Sequence, residues 1–197
     1  MMTSKNDVRS VLNKDWHLRD LSNDDSTSAI GQVTGYACVF NQPSEDLGFI
    51  EYCDPNMFDG VDMSNVLALY SHDLSNVLGR VSADTLVLKV DDYGLKFTLD
   101  IPDTTLGRDV YTNIKNGNLE GCSFGFTIKD DSWNRDTNGQ LVHTILQIGE
   151  LTEISITPLP AYTETSVAVS RGLKKVNEET RREKARLFLD LTEMEVF

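Results

Sequence analysis

Residues 119–126 read Leu-Glu-Gly-Cys-Ser-Phe-Gly-Phe, which places a lone serine, Ser123, between two glycines in an otherwise apolar run. In a β-strand successive side chains point to opposite faces, so Phe124 and Phe126 would share the face opposite Ser123. The glycines allow another backbone to approach closely. The stretch predicts a strand whose serine either bonds to backbone as an ordinary buried hydroxyl or meets a substrate carbonyl, and these residues leave both open.

Short apolar segments separated by turn-forming residues occupy most of the remaining chain. We expect strands at residues 31–39, 49–53, 66–70, 78–81, 85–90, 95–99, 119–129, 141–146 and 151–156. Residues 104–117 instead carry apolar side chains at the spacing of one helix face and end on a glycine, which predicts an amphipathic helix before the serine strand. Many short strands favour a small β-barrel, so the expected fold is mainly β with a few helices.

The 197 residues fit one domain with appendages. Residues 1–30 are polar and are expected to form an arm that leads into the first strand. The composition shifts at residue 171 to a charged run of strong helix formers, which predicts a helical or flexible tail over residues 171–197. The domain itself is expected to span residues 31–170.

The charge balance and the cysteines exclude several classes of function. The chain has 31 acidic and 18 basic residues, a formal net charge of -13, which opposes nucleic-acid binding. No apolar run approaches the roughly 20 residues that cross a bilayer, and we expect no signal peptide. Three cysteines without a Cys-x-x-Cys pair indicate a reducing cytoplasm. Neither metal-ligand spacing nor a phosphate loop occurs, so no metal or cofactor is expected.

A nucleophilic serine needs a base for its proton and a third group that orients the base. Of the three histidines, His17 lies in the polar arm and His143 inside a strand-like run. His72 follows the fully apolar run 66–70, which is expected to be a central strand. His72 is therefore the best candidate base, although a lone histidine is more often structural.

Three pieces of the chain, in this order and spacing, resemble the prohead proteases of HK97-type tailed phages. They are Tyr-Ser-His-Asp at 70–73 with Leu-Gly-Arg at 78–80, Gly-Asn-Leu-Glu-Gly-Cys-Ser-Phe-Gly-Phe at 117–126, and Leu-Thr-Glu-Ile-Ser-Ile at 151–156 with Pro-Leu-Pro-Ala-Tyr at 158–162. Each piece is common alone, and the combination is specific. The resemblance implies a fold like that of the herpesvirus assemblin proteases, a closed or nearly closed β-barrel flanked by helices.

The resemblance implies a serine endopeptidase in which Ser123 attacks the peptide carbonyl and His72 accepts its proton. We choose Glu153 as the third member, which would bond the ring nitrogen of His72 that faces away from Ser123. On the alternation of its strand Glu153 lies opposite Ile154 and Ile156, so it can face the site while they enter the core. Its spacing fits a solvent-facing strand carboxylate equally well.

Two other residues compete for the third position. The assemblin relatives use a second histidine there, on a strand after the serine, which makes His143 the main alternative. Asp73 ranks last, because it would have to fold back sharply to orient the adjacent His72.

The nucleophile and the oxyanion hole have alternatives too. Cys122 is a stronger nucleophile as a thiolate, but alternation turns it away from the face of Ser123, where it is expected to pack as a small apolar residue. The amide of Gly125 and the turn at 158–161 are the candidates for the oxyanion hole.

The implied function is cleavage of scaffold segments of the major capsid protein, with the chain's own tail as a second candidate substrate. The protease would act in the bacterial host cytoplasm, inside the immature phage prohead, and as a homodimer by analogy with assemblins. One alternative is a scaffold or assembly module with the same fold and no catalysis. Another is an esterase, because residues 121–125 fit Gly-x-Ser-x-Gly. That motif needs a helix to begin after the serine, whereas the protease needs a continuing strand.

Overall fold

A computed structural model describes residues 7–12, 17–20, 28–44 and 47–158. In chain order its elements are β1 Asp7–Leu12, β2 His17–Asp20, β3 Ala29–Val39, β4 Ile50–Cys53, β5 Leu67–Tyr70, β6 Asp73–Arg80, a 3₁₀ turn Val81–Ala83, β7 Leu86–Val90, β8 Gly94–Pro102, α1 Thr105–Lys115, β9 Gly121–Arg135 and β10 Leu141–Thr157.

The described strands form two sheets. The first has six strands in the order β1-β9-β10-β5-β6, with β4 also paired to β10. Strand β10 runs antiparallel to β9 and parallel to β4 and β5, so this sheet is mixed. The second sheet, in the order β2-β3-β8-β7, is antiparallel throughout.

The closed or nearly closed barrel expected from the sequence is not what the described strands form. Pairing ends at β1 and β6 in one sheet and at β2 and β7 in the other, and in the described part of the chain no strand pairing joins these edges. Barrels and pairs of packed sheets share the same local pattern of short strands and turns, so the pattern does not distinguish them. The mainly β character is as expected, with one α-helix in the described residues.

The apolar core draws side chains from both sheets. Phe97 and Leu99 of β8 are fully buried, and so are Phe124 and Phe126 of β9, whose rings stack with centroids 4.8 Å apart. The predicted alternation of the serine strand is therefore confirmed. Burial of a side chain of this size contributes about 1.5–3 kcal/mol, which anchors the face of β9 opposite Ser123.

Helix α1 forms as predicted, immediately before the serine strand. Thr104 caps its start, since its hydroxyl accepts the amide hydrogen of Gly107 at 3.0 Å. The helix buries Val110, Tyr111 and Ile114 against the core. No helix of the described part is long and apolar enough to cross a membrane.

The polar start of the chain contributes two strands that the sequence did not predict. Strand β1 pairs with the outer edge of β9, and β2 pairs with β3. An edge strand has one partner and can stay polar, so its sequence lacks the apolar alternation of an inner strand. The two strands expected at 141–146 and 151–156 form the single strand β10, with register shifts between them. The tail 171–197 and its boundary lie outside the described residues.

The turn between β5 and β6 consists of Ser71 and His72. Tyr70 pairs with Asp73, so the connection has two residues, and both have positive φ, 54° at Ser71 and 60° at His72. This left-handed backbone costs an ordinary residue roughly 1–2 kcal/mol. The fold therefore holds His72 at the end of β5 in a conformation that glycine would adopt more readily.

Ser71→Gly is expected to stabilise the protein by about 0.5–1 kcal/mol, because glycine removes the Cβ clash of the left-handed conformation. Urea unfolding measures the change, and Ser71→Ala is the matched control that should bring no gain. Equal stability of the glycine and alanine variants would contradict strain at this turn.

Candidate active site

Strand β9 runs without interruption through Ser123. It extends from Gly121 to Arg135, and no helix begins at Phe124. The strand-to-helix turn that an esterase elbow requires is therefore absent at this serine. The Gly-x-Ser-x-Gly spacing is a property of the strand sequence and not of an elbow.

Ser123 is fully buried between two neighbouring strands. It lies opposite Ser155 of β10 on one side and opposite Ser10 of β1 on the other. Its hydroxyl donates a hydrogen bond to the backbone carbonyl of Arg9, with an oxygen–oxygen distance of 2.7 Å. Strand β1 therefore covers the serine in this structure.

The structure brings together two of the predicted site residues, His72 and Glu153. The distance from His72 Nδ1 to Glu153 Oε1 is 2.8 Å. The side chain of His72 is 27% exposed and that of Glu153 is 10% exposed, so the pair has one face toward solvent. With Nδ1 directed at the carboxylate, Nε2 is the ring nitrogen left for proton transfer.

Glu153 reaches His72 from the same sheet face as Ser123. On β10 the residues Glu153 and Ser155 alternate with the buried Ile154, and they lie opposite Gly125 and Ser123 of β9. The expected separation of Glu153 from the core isoleucines is therefore present in the fold.

Ser155 is a site residue that the sequence reasoning missed. Its hydroxyl donates to Glu153 Oε2 at 2.6 Å and accepts the backbone amide hydrogen of His72 at 3.1 Å. It thus ties the carboxylate to the turn that carries the histidine. The available signal was its position two residues after Glu153, which places both side chains on one face of a strand.

Gly125 provides the space in which the carboxylate lies. A Cβ atom at this position would be 2.7 Å from Glu153 Oε1 and 3.0 Å from Thr152 Oγ1. A larger residue at position 125 would therefore force the Glu153 carboxylate to shift. For the other oxyanion candidate, the turn at 158–161, only Pro158 belongs to the described residues.

In the described structure Ser123 forms no hydrogen bond with His72, since its hydroxyl donates to the carbonyl of Arg9. The two residues are linked through Ser155, which lies opposite Ser123 and accepts the amide of His72. Directly opposite residues have Cβ atoms about 4.5–5.5 Å apart. Proton transfer to the imidazole therefore requires the Ser123 hydroxyl to leave the carbonyl of Arg9.

Cys122 and Asp73, the sequence neighbours of Ser123 and His72, have contacts outside the candidate site. Cys122 is fully buried in the core cluster, and burial raises the pKa of its thiol, with the charge of Glu153 adding to the effect. It therefore stays protonated, as expected for a packed apolar residue. The carboxylate of Asp73 accepts the amide of Ser75 at 2.8 Å and so caps its own turn.

His143, the alternative third member, belongs to a different cluster. Its Nδ1 lies 2.8 Å from Glu51 Oε2, and its Nε2 lies 2.7 Å from Asp131 Oδ2. Its ring stacks on Trp133 with centroids 4.1 Å apart. Both ring nitrogens are occupied by carboxylates, so His143 does not orient His72 in this structure.

Glu51 joins His143 to Arg9 of β1. The guanidinium of Arg9 forms a two-point ion pair with the Glu51 carboxylate, through Nε and through Nη2 at 2.8 Å. Burial by itself raises the pKa of Glu51, but the charge of Arg9 and the hydrogen bonds from His143 and Arg9 outweigh it, so the net shift is downward. The carboxylate is therefore charged in the folded protein at neutral pH.

The lowered pKa of Glu51 predicts a stability that depends on pH. Such a group stabilises the fold above its unfolded pKa of about 4.3 and loses this contribution as the pH falls through the lower folded value. Glu51→Gln should lower the free energy of unfolding by roughly 3–5 kcal/mol at neutral pH, and the difference from wild type should narrow in acid. Urea titrations over this range measure it.

The exposed Glu150 on β10 supplies the control, since Glu150→Gln should leave the free energy of unfolding near that of wild type. The charged state of Glu51 would be contradicted if the difference in unfolding free energy between wild type and Glu51→Gln stayed constant down to about pH 3.

The fold resembles that of the bacteriophage T4 capsid assembly protease. The comparison has a TM-score of 0.50 at 8% sequence identity, and it covers 78% of this chain and 97% of that chain. At this identity the likeness establishes a common fold and assigns no residue. No curated protein matches the chain in sequence.

A family model provides the assignment. The model for the caudovirus prohead serine protease matches residues 18–179, most of the chain, including Ser123, His72 and Glu153. The chain belongs to the caudovirus prohead serine protease family.

Proposed function

We propose that this chain is a serine endopeptidase of capsid maturation in which Ser123 is the nucleophile, His72 the general base and Glu153 the residue that orients His72. One observation carries the assignment. The His72–Glu153 pair, with 2.8 Å between Nδ1 and Oε1, lies on the sheet face of a strand serine. Family membership supports the reaction class.

In the proposed reaction the three groups act in two steps. Ser123 Oγ attacks the carbonyl carbon of the peptide bond while its proton passes to His72 Nε2. The proton then goes to the leaving amine as the C–N bond breaks, which leaves an acyl ester on Ser123. A water molecule, deprotonated by His72, hydrolyses the ester and restores the serine. Glu153 holds the Nδ1–H and stabilises the imidazolium that forms in each half.

Ser155 and Gly125 act through Glu153. The Ser155 hydroxyl holds the second carboxylate oxygen at 2.6 Å, so that the first stays directed at His72. Gly125 leaves the space that the carboxylate fills. A site whose orienting group is itself fixed loses less entropy when the reaction begins.

The proposed substrate is the scaffold segment of the major capsid protein, cleaved inside the immature prohead in the bacterial host. The names of the family and of the T4 neighbour support this setting, since both refer to proteases of the phage head. A homodimer is part of the proposal by analogy with assemblins, and the chain's own tail is its second proposed substrate.

Ser123→Ala and His72→Gln are each expected to reduce cleavage at least about 10³-fold, because the nucleophile and its base act as one unit. The protein is co-expressed with its major capsid protein, and intact mass reports shortened products. The matched control is His17→Gln, since His17 is exposed on β2 and should be dispensable.

Shortened products from the Ser123→Ala variant would exclude this serine as the nucleophile. Shells that assemble with uncut capsid protein in the presence of wild type would favour the alternative function, a scaffold or assembly module with the same fold.

Gly125→Ala is expected to lower the cleavage rate about 10- to 100-fold with little change in melting temperature, because the new Cβ displaces the Glu153 carboxylate. The control is Gly149→Ala on β10, where a Cβ would meet the Thr127 hydroxyl at a similar distance, 2.9 Å, away from the site. Equal rates for the two variants would contradict the role given to Gly125.

A further inference from the structure

Strand β1 lies on the outer edge of β9 in the manner of a bound peptide. It runs antiparallel to β9, with Arg9 opposite Phe124 and Ser10 opposite Ser123. The carbonyl oxygen of Arg9 accepts the Ser123 hydroxyl at 2.7 Å. The Arg9–Ser10 peptide bond is therefore the one beside the nucleophile, and adding an extended strand to a sheet edge is a common way to bind peptides.

The side chain of Arg9 enters a pocket built for a cation. Arg9 lies opposite Phe124, so its side chain is on the core face of the sheet, away from His72. Its guanidinium pairs with both oxygens of Glu51 and lies over the ring of Phe126, with Cζ 5.8 Å from the centroid. A buried carboxylate and an aromatic face are the two groups that recognise a guanidinium best.

A hydrogen bond to His143 fixes the Glu51 carboxylate of this pocket. Glu51 is 4% exposed, and its Oε2 lies 2.8 Å from Nδ1 of His143. His143 is fixed in turn by Asp131 and by stacking on Trp133. Leaving a buried carboxylate without its cation is strongly destabilising, so a peptide that replaces β1 gains from bringing a cation to the same place.

We propose that the outer edge of β9 is the substrate cleft, that β1 occupies it as a substrate does, and that Glu51 selects arginine, or less strongly lysine, as the residue whose carbonyl Ser123 attacks. The inference rests on the proposed role of Ser123. Arginine is favoured over lysine because the Glu51 carboxylate binds its guanidinium at two points. In the present structure the Ser123 proton is directed at the Arg9 carbonyl and not at His72, so β1 is held without being cleaved.

The test measures binding, which does not require catalysis. The full chain carries Ser123→Ala to prevent cleavage and Arg9→Gln to weaken its own β1. Fluorescence anisotropy follows a labelled peptide of residues 5–14 and the same peptide with glutamine in place of its arginine. The arginine peptide should bind at least about tenfold more tightly, and adding Glu51→Gln to the chain should abolish the difference.

Equal affinity of the two peptides, or an arginine preference that survives Glu51→Gln, would overturn the proposal. The chain with Arg9→Gln and Glu51→Gln together carries no unpaired buried charge, which guards against loss of folding, and its melting temperature is measured alongside. Since binding is read in an inactive variant, failure here leaves the proposed protease function to its own test, and failure of that function leaves this result intact.

Discussion

The pairing of β9 with β10 is the constraint on which the site depends. Because side chains alternate on both strands, the register that puts Ser123 opposite Ser155 also puts Glu153 opposite Gly125 and sends the phenylalanines of β9 into the core. A slip of one residue would exchange the two faces and bury the site residues among apolar side chains. The same packing energy that stabilises the core therefore places the polar groups.

The position of His72 depends on this register indirectly. Its backbone lies in a turn with two successive left-handed residues, a conformation that other contacts have to stabilise. Ser155 supplies one such contact through the amide of His72, and Glu153 supplies another through the ring. The turn, the imidazole of His72 and the carboxylate of Glu153 are thus one hydrogen-bonded unit attached to β10, and Ser123 belongs to the adjacent strand β9.

The features that depend on neighbouring residues were predicted from the sequence, and those that depend on distant contacts were not. The alternation around Ser123 and the helix before it depend on nearby residues, and both were predicted. The choice of Glu153 over His143 rested on a family resemblance, and the structure brings only Glu153 into contact with His72. The steric need for Gly125 and the polar edge strand β1 involve partners distant in the chain, so composition and periodicity carry no sign of them. The barrel was inferred from strand spacing that two separate sheets satisfy equally.

The position of β1 at the margin of its sheet has a consequence for colloidal behaviour. Without β1, the outer edge of β9 would present a row of unpaired amide and carbonyl groups, on a strand that has one apolar face. Such an edge is a template for pairing with extended chains, including copies of the same protein. The segment that covers Ser123 thereby also protects the molecule against edge-to-edge aggregation where proteins are packed at high concentration.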